Sequence, residues 1–414
     1  MYIKSLRIQN IKSFEDSKEI EFQYPGKEQK LKVRYPNINL LLGNNGSGKT
    51  TVLKAIAMAA LGPAIGDSNL PTFKLIRKTR DHSETKTGEI SASFSLNKQD
   101  HNTKHANKSP LECRIEINKI GEIERLTSNI QNFDIEFDRW KPIFSSDNDA
   151  FFFVGYGATR RVESRERIDP GARQASSFAR AQRIRSLFED SYSLYPLTIW
   201  LPALQIENPG RYRQVFGLLN KLLSDTTYTF TGEMEQGEYV FATKSVQVPF
   251  PALSDGYRTF IGWLGDLLYH IVNTCPKGKK LVENQGMVML DEVDLHLHPK
   301  WQMTILPRLS RTLPKLQFMV TSHSPLVVGS LERFNILFLR NSGSGTKAVR
   351  IDVGIHGLDA DQILISDFFG LNSTRADEKD RQLKELTKKA VLGDKDSALA
   401  MLEEMSKGLE NNAL

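Results

Sequence analysis

Gly43-Asn44-Asn45-Gly46-Ser47-Gly48-Lys49-Thr50 matches the pattern G-x-x-x-x-G-K-[ST] at every fixed position. Glycines at these places let successive backbone N–H groups close around phosphate oxygens. The lysine can reach β- and γ-phosphates, and the hydroxyl beside it can ligate Mg²⁺. Asn44, Asn45, Gly46, Ser47, Gly48, Lys49, Thr50 and Thr51 are therefore candidate nucleotide-binding residues, with Thr50 also a candidate metal ligand. Such a loop works between a strand and a helix whose N-terminus adds its positive dipole end. Residues 37–42 read as a short buried strand and 51–60 as a helix with an apolar face.

Three further stretches could complete the site. In Gly286-Met287-Val288-Met289-Leu290-Asp291-Glu292 an apolar strand delivers two carboxylates. Asp291 would support Mg²⁺, and Glu292 is placed to polarise an attacking water as a general base. Leu253-Ser254-Asp255-Gly256-Tyr257-Arg258 opens a helix. Ser254 suits its N-cap, and the free N–H groups, hydroxyl and dipole end also suit an anion. In Val320-Thr321-Ser322-His323-Ser324-Pro325 a histidine follows a buried strand, as a candidate sensor of a γ-phosphate. His296 and His298, two apart with no cysteine nearby, suit a loop segment better than a metal centre.

These residues need elements to hold them. Strands are predicted over 2–9, 19–23, 31–35 and 37–42, then over 89–96 and 112–118, where apolar residues alternate. The polar stretch 97–110 reads as a loop, with His101 and His105 solvated. Phe151-Phe152-Phe153-Val154 is apolar throughout, as in a strand covered on both faces. Helices are predicted over 177–190 and 209–224, and strands within 226–250 that turn at 235–237. A helix over 255–273, a strand over 287–290, a helix from about 299 and a strand over 317–320 follow. Asp359 and Asp361 read as a helix start, and 371–414 as a helical tail.

With 414 residues, 40% of them hydrophobic and 25% charged, the chain is long enough for a large bilobed unit and has an ordinary globular balance. Cys113 and Cys275 are too few for a disulfide framework or a zinc cluster and suit a reducing cytoplasm. The longest apolar stretch, 260–272, is broken by Asp266 and too short to span a bilayer, so no membrane partner is expected.

The order of phosphate loop, LSDGYR, MVMLDEVDLHLHP and TSHSP resembles the ABC-type ATPase heads of the SMC/RecF/OLD-like group. That resemblance implies an α/β, bilobed P-loop ATPase head with a mostly helical insertion and a short helical C-terminal tail. It implies ATP and Mg²⁺ as ligands and a sandwich of two heads around two ATP molecules. It casts Asp291 as a metal ligand, Glu292 as the base and His323 as the switch histidine. Ser254, Asp255 and Gly256 become the signature that meets the nucleotide of the opposite subunit, and Asp294 falls in the bridging loop. Ser-Asp-Gly-Tyr replaces the Ser-Gly-Gly-[Gln/Glu] of transporter ATPases, which favours the RecF/OLD-like branch. The glutamine loop has no clear match; Tyr156, Arg160 and Gln182 are its candidates.

Four segments follow: head residues 1–155, an arginine-rich insertion with a β-hairpin over 156–250, head residues 251–370, and the tail. The head lacks the heptads of a long arm, and the residues after the α/β core are too few for a nuclease domain. Antiphage-defence ATPases, such as those of Septu (PtuA-like), PARIS and certain retrons, are similar in both respects. The resemblance implies a homo-oligomer that controls a separately encoded nuclease or toxin. The alternative is a RecF-like repair clamp that binds DNA in an ATP-gated way. Eight arginines lie between 160 and 185, with no lysine among them. Arg160, Arg161, Arg180, Arg183 and Arg185 are candidates for nucleic-acid or cross-subunit contacts. The competing reading pairs the cluster with its own acidic neighbours, Glu163, Glu166, Asp169, Glu189 and Asp190. The net charge of +6 permits an acidic partner without requiring one.

Overall fold

The computed structural model describes residues 1–27, 33–72, 74–78, 86–97, 99–100, 110–130, 135–144, 149–162, 179–224, 226–343, 345–350, 354, 357–366, 368–371, 373–375 and 377–406. His101, His105, Glu163, Arg165, Glu166, Arg167, Asp169 and Arg173 lie outside them. The strands are β1 (Tyr2–Ile11), β2 (Phe14–Asp16), β3 (Ile20–Glu21), β4 (Ile38–Leu42), β5 (Thr87–Ser95), β6 (Leu111–Ile120), β7 (Ile123–Ser128), β8 (Phe152–Tyr156), β9 (Thr229–Glu235), β10 (Glu238–Ala242), β11 (Gln247–Pro249), β12 (Gly286–Leu290), β13 (Leu316–Thr321), β14 (Ile336–Ser342) and β15 (Gly345–Val349). The helices are α1 (Lys49–Leu61), α2 (Ile135–Trp140), α3 (Ala179–Ile184), α4 (Leu197–Glu207), α5 (Pro209–Leu222), α6 (Asp255–Thr274), α7 (Pro299–Gln302), α8 (Ile305–Thr312), α9 (Pro325–Gly329), α10 (Ala360–Leu364), α11 (Asp377–Val391) and α12 (Lys395–Ser406).

A six-stranded sheet of order β15-β14-β4-β13-β12-β8 carries the site. From β14 to β8 its strands are parallel, and β15 closes the edge antiparallel to β14. Every residue of β4, β8, β12 and β13 is buried, which is why these stretches are mostly apolar without alternation, with Asn39, Gln317 and Thr321 as buried polar exceptions. The pairs Leu40–Val320, Leu290–Val320 and Leu290–Tyr156 bring the C-terminal ends of four strands to one edge. Ligands of parallel α/β sheets bind outside that edge. The second sheet is antiparallel, β2-β1-β5-β6-β7 with β3 on β1, and its alternating strands turn one face inward. Helix α1 is filled in on both sides. Its core joins Ile3, Ile8, Phe94 and Ile115 of the antiparallel sheet to Leu41, Met287, Met319 and Leu337 of the parallel one.

Several predicted elements change in extent. The strand expected over 19–23 is only β3, because Gln23 pairs its main chain with a side chain instead. Gln23 N donates to Asn39 Oδ1 at 2.7 Å, and Asn39 Nδ2 donates to Gln23 O at 2.7 Å. Residues 33–35 before Pro36 form no strand. The helix expected over 177–190 is the short α3 followed by a 3₁₀ turn at Arg185–Leu187. That turn packs on β8 and the loop after it: a Cβ on Gly155 would lie 2.4 Å from Leu187, and one on Gly157 2.3 Å from Ser186 O. Helix α4, with Pro202 inside it, and strand β7 were not foreseen. The signature helix and the hairpin β9–β10 fall where periodicity places them.

The described residues between 358 and 406 form a second compact unit. Asp359 caps α10 in a reciprocal box with Gln362, as its position before Ile363 suggests. Helices α11 and α12 pack together, with Lys379 paired to Glu404.

Candidate nucleotide site

Leu42 hands the chain to a loop in which Gly43, Gly46 and Gly48 have φ of 146°, 77° and 92°, a region costly for other residues. A Cβ on Gly48 would also strike Phe14 at 2.6 Å. Asn44, Asn45 and Gly46 are exposed, whereas Ser47, Lys49 and Thr51 are buried. Lys49 Nζ donates to Gly43 O at 2.7 Å and Asn44 O at 3.3 Å. Burial pushes its ammonium below the ordinary value, while Asp291, Glu292 and Asp294 pull the other way.

Asp291 follows the end of β12 and meets the loop across the sheet edge. Thr50 Oγ1 donates to its Oδ2 at 2.8 Å, and Thr321 Oγ1 donates to its Oδ1 at 2.5 Å. A hydroxyl and a carboxylate held together are the hard oxygen donors that suit Mg²⁺. Glu292 has φ of 47°, which costs a non-glycine residue about 1–2 kcal/mol. Its N–H donates to Thr321 Oγ1 at 2.7 Å, and its carbonyl accepts from Arg160 Nη2 at 2.6 Å and from Leu295 N at 3.1 Å. The main chain of Glu292 is thus held from both sides.

His323 lies exposed just past β13, and its N–H donates to Asp294 at 3.3 Å. Ser324 Oγ donates to Gln302 Oε1 at 2.7 Å, and Gln302 Nε2 donates to Leu297 O at 2.8 Å. The histidine turn and the loop after the acidic pair therefore form one connected unit. Ser254 occupies the N-cap of α6, as the helix-start reading has it, but its side chain makes no capping hydrogen bond. It is exposed, as is Asp255, which pairs with Arg258. Gly256 packs on the main chain of His296: a Cβ there would lie 2.3 Å from His296 O. Tyr257 meets Trp301 edge-on and Phe260 packs tilted against it, with ring centroids 4.3 and 5.8 Å away. His298 Nδ1 accepts from Lys300 N at 3.3 Å and caps α7. Among the described residues no group of three His, Cys, Asp or Glu side chains could hold a metal ion.

The described arginines of the cluster, Arg160, Arg161, Arg180, Arg183 and Arg185, do not form an open basic face. Arg160 and Arg180 are each 2% exposed. Arg180 donates to Ile143 O at 2.6 Å and Ala150 O at 3.0 Å, inside the fold. Burial brings the guanidinium groups of Arg160, Arg180 and Arg183 down to about 10. Arg185 binds Glu189 at 2.6 Å, one turn along. Only Arg161 of the five is exposed. Arg160 and Arg180, two of the candidates for nucleic-acid or cross-subunit contacts, are thus buried forks that hold main-chain carbonyls of their own chain. Of the glutamine-loop candidates, Tyr156 donates a hydrogen bond from its hydroxyl to Asp266 Oδ2 at 2.9 Å. Gln182 lies on α3.

Thr321 and Gln302, which join the hydrogen-bond network of the site, were not among the sequence candidates, and Arg160, which was, holds the main chain of Glu292. Thr321 sits inside an apolar strand, where threonine is an ordinary choice. Its one signal was a hydroxyl next to the Ser-His step.

A protein with this geometry has known relatives. The Septu protein PtuA of Bacillus mycoides (strain KBAB4) is 26% identical over 339 residues, covering 82% of this chain and 41% of that protein. The retron Ec83 probable ATPase of Escherichia coli is 37% identical over 112 residues, 27% of this chain and 20% of the relative. The retron Vc95 probable ATPase of Vibrio cholerae serotype O1 biovar El Tor is 20% identical over 381 residues, 78% of this chain and 71% of the relative. The chain thus spans less than half the length of the first two. An Smc head crystallised with the C-winged helix domain of ScpA superposes with a TM-score of 0.51 at 14% identity, over 85% of this chain and 98% of that one. The fold is that of an SMC-type head. Residues 38–329 match the family described as "AAA domain, putative AbiEii toxin, Type IV TA system", and the chain belongs to that family.

Proposed function

We propose that this chain is an ATPase of antiphage defence whose ATP-dependent self-association controls a separately encoded nuclease or toxin. The observation that carries the hydrolytic part is the single network joining Thr50, Asp291, Thr321 and Glu292 beside the phosphate loop. Lys49 and the loop N–H groups bind the phosphates. Thr50 and Asp291 would hold Mg²⁺, which neutralises charge on the β- and γ-phosphates when bound. The Glu292 carboxylate takes a proton from the attacking water. The water oxygen bonds to the γ-phosphorus as the bond to the β–γ bridging oxygen breaks, and ADP and phosphate leave. His323 stands at the same edge as a sensor of the γ-phosphate. The exposed turn at Ser254, Asp255 and Gly256 is the surface offered to the nucleotide of a second copy. Kinship with the Septu and retron proteins supports the defence role.

Phosphate release and native mass spectrometry test the reading together. Glu292→Gln should lower turnover by about 100-fold or more while ATP-driven assembly persists. Fast turnover in that variant would remove Glu292 as the base. Purification of the tagged protein from its own host should bring a stoichiometric second polypeptide; a bare homo-oligomer would end the effector part.

A further inference from the structure

The acidic pair is gripped from two sides. On one side β13 contributes Thr321, whose hydroxyl bonds both Asp291 and Glu292 and whose carbonyl accepts from Val293 N at 3.0 Å. On the other side is the chain leaving β8. Tyr156 O accepts from Asp291 N at 2.9 Å, and Arg160 Nη2 donates to Glu292 O at 2.6 Å. Arg160 has φ of 30° and is 2% exposed, so its side chain belongs to this chain's own site and not to a neighbour's. Its Nε is buried without a partner. A guanidinium kept for general stability would use its donors more fully.

We infer that Arg160 is a positioning residue for hydrolysis, its bond to Glu292 O fixing the peptide after Glu292 and so the direction of the Glu292 carboxylate. The inference rests on the hydrolytic reading above. Glu292 sits in a left-handed conformation that reverts readily once its surroundings loosen. With Arg160 in place its C=O is held. Without it, Leu295 N alone grips that carbonyl, through a bond within the same turn. The nucleotide contacts of the loop at 43–50 do not pass through Arg160, so binding and turnover should separate.

The test compares wild type, Arg160→Ala, Arg160→Lys, Glu292→Gln and the double variant Arg160→Ala/Glu292→Gln, reading kcat by phosphate release and ATP affinity with a fluorescent ATP analogue. Arg160→Ala should lower kcat about 10- to 100-fold, the scale of one charge-assisted hydrogen bond, with affinity changed less than about threefold. Arg160→Lys, whose ammonium keeps the charge and can donate but lacks the planar fork, should recover part of the rate, and millimolar guanidinium should partly rescue Arg160→Ala. In the Glu292→Gln background the Arg160 change should cost nothing further, because its effect runs through that carboxylate. An unchanged kcat, a parallel loss of affinity, or an additive loss in the double variant overturns the inference. If Arg160→Ala does not fold, Arg160→Lys decides: a reduced kcat at wild-type affinity supports the inference, and a wild-type kcat overturns it. A wild-type chain that never turns over ATP overturns the hydrolytic reading, and this inference with it.

Discussion

Thr321 is the residue on which the proposed chemistry turns, although it cannot itself take a proton from water. Its one hydroxyl donates to Asp291 and accepts from Glu292 N, at 2.5 and 2.7 Å. Serine would preserve both bonds; valine, of similar volume, would preserve neither. Thr321→Val leaves a buried carboxylate oxygen and a main-chain N–H short of partners, a loss of about 1–3 kcal/mol for each such group. Turnover should fall by about 10- to 100-fold with the phosphate loop still competent to bind ATP, whereas Thr321→Ser should stay close to wild type. Steady-state kinetics on the two variants check this; equal rates would show the hydroxyl to be dispensable. The same scale separates the arginines. Arg160 and Arg180 have one residue type and the same burial, yet one holds the loop of the acidic pair and the other holds the carbonyls of Ile143 and Ala150.

Between elements, the connection that matters is the one from α6 to the loop that follows β12. Gly256 rests on the His296 carbonyl, and Trp301 is wedged against Tyr257 and Phe260. The exposed turn at Ser254 and the acidic pair thus share a rigid intermediary. Gly256→Ala places a methyl 2.3 Å from a main-chain oxygen, and one of the two segments must shift. Such overpacking costs about 1–3 kcal/mol. ATP-driven assembly should weaken at least tenfold in native mass spectrometry, with ATP binding to the single chain retained. Assembly at wild-type strength would detach the turn from the self-association proposed above. Asp266 shows the same principle inside α6. It breaks the apolar stretch 260–272 because its carboxylate accepts from Tyr156 Oη at 2.9 Å and from Tyr195 N at 2.7 Å. The helix is tied in this way to the end of β8.

At the scale of the molecule, the two sheets of the head are joined by α1 and by buried amides. Gln317, fully buried in β13, accepts from Ile3 N and donates to Ile3 O and Gln23 O, each at 2.8 Å. Gln317→Leu keeps the volume but leaves main-chain groups of the antiparallel sheet unpaired. It should cost about 2–4 kcal/mol of stability, read as a lowered midpoint in urea at unchanged slope. A midpoint equal to wild type would mean that apolar packing alone joins the sheets. Among the described residues no helix is long and apolar enough to cross a membrane. By itself the sequence determined what depends on neighbours along the chain. The phosphate loop, the apolar strands that lead to Asp291 and to the turn at His323, the start of α6 and the Asp359 cap each declare themselves through local spacing, because turn geometry and strand or helix period are local properties. Only the tertiary structure decided which of eight clustered arginines stands beside Glu292, that Thr321 serves both acidic residues, and that Gly256 answers to His296. Those partners are 132, 30 or 29, and 40 positions apart. The packing of strands, helices and the loops between them brings them together, and that packing is set by which faces can be buried at once.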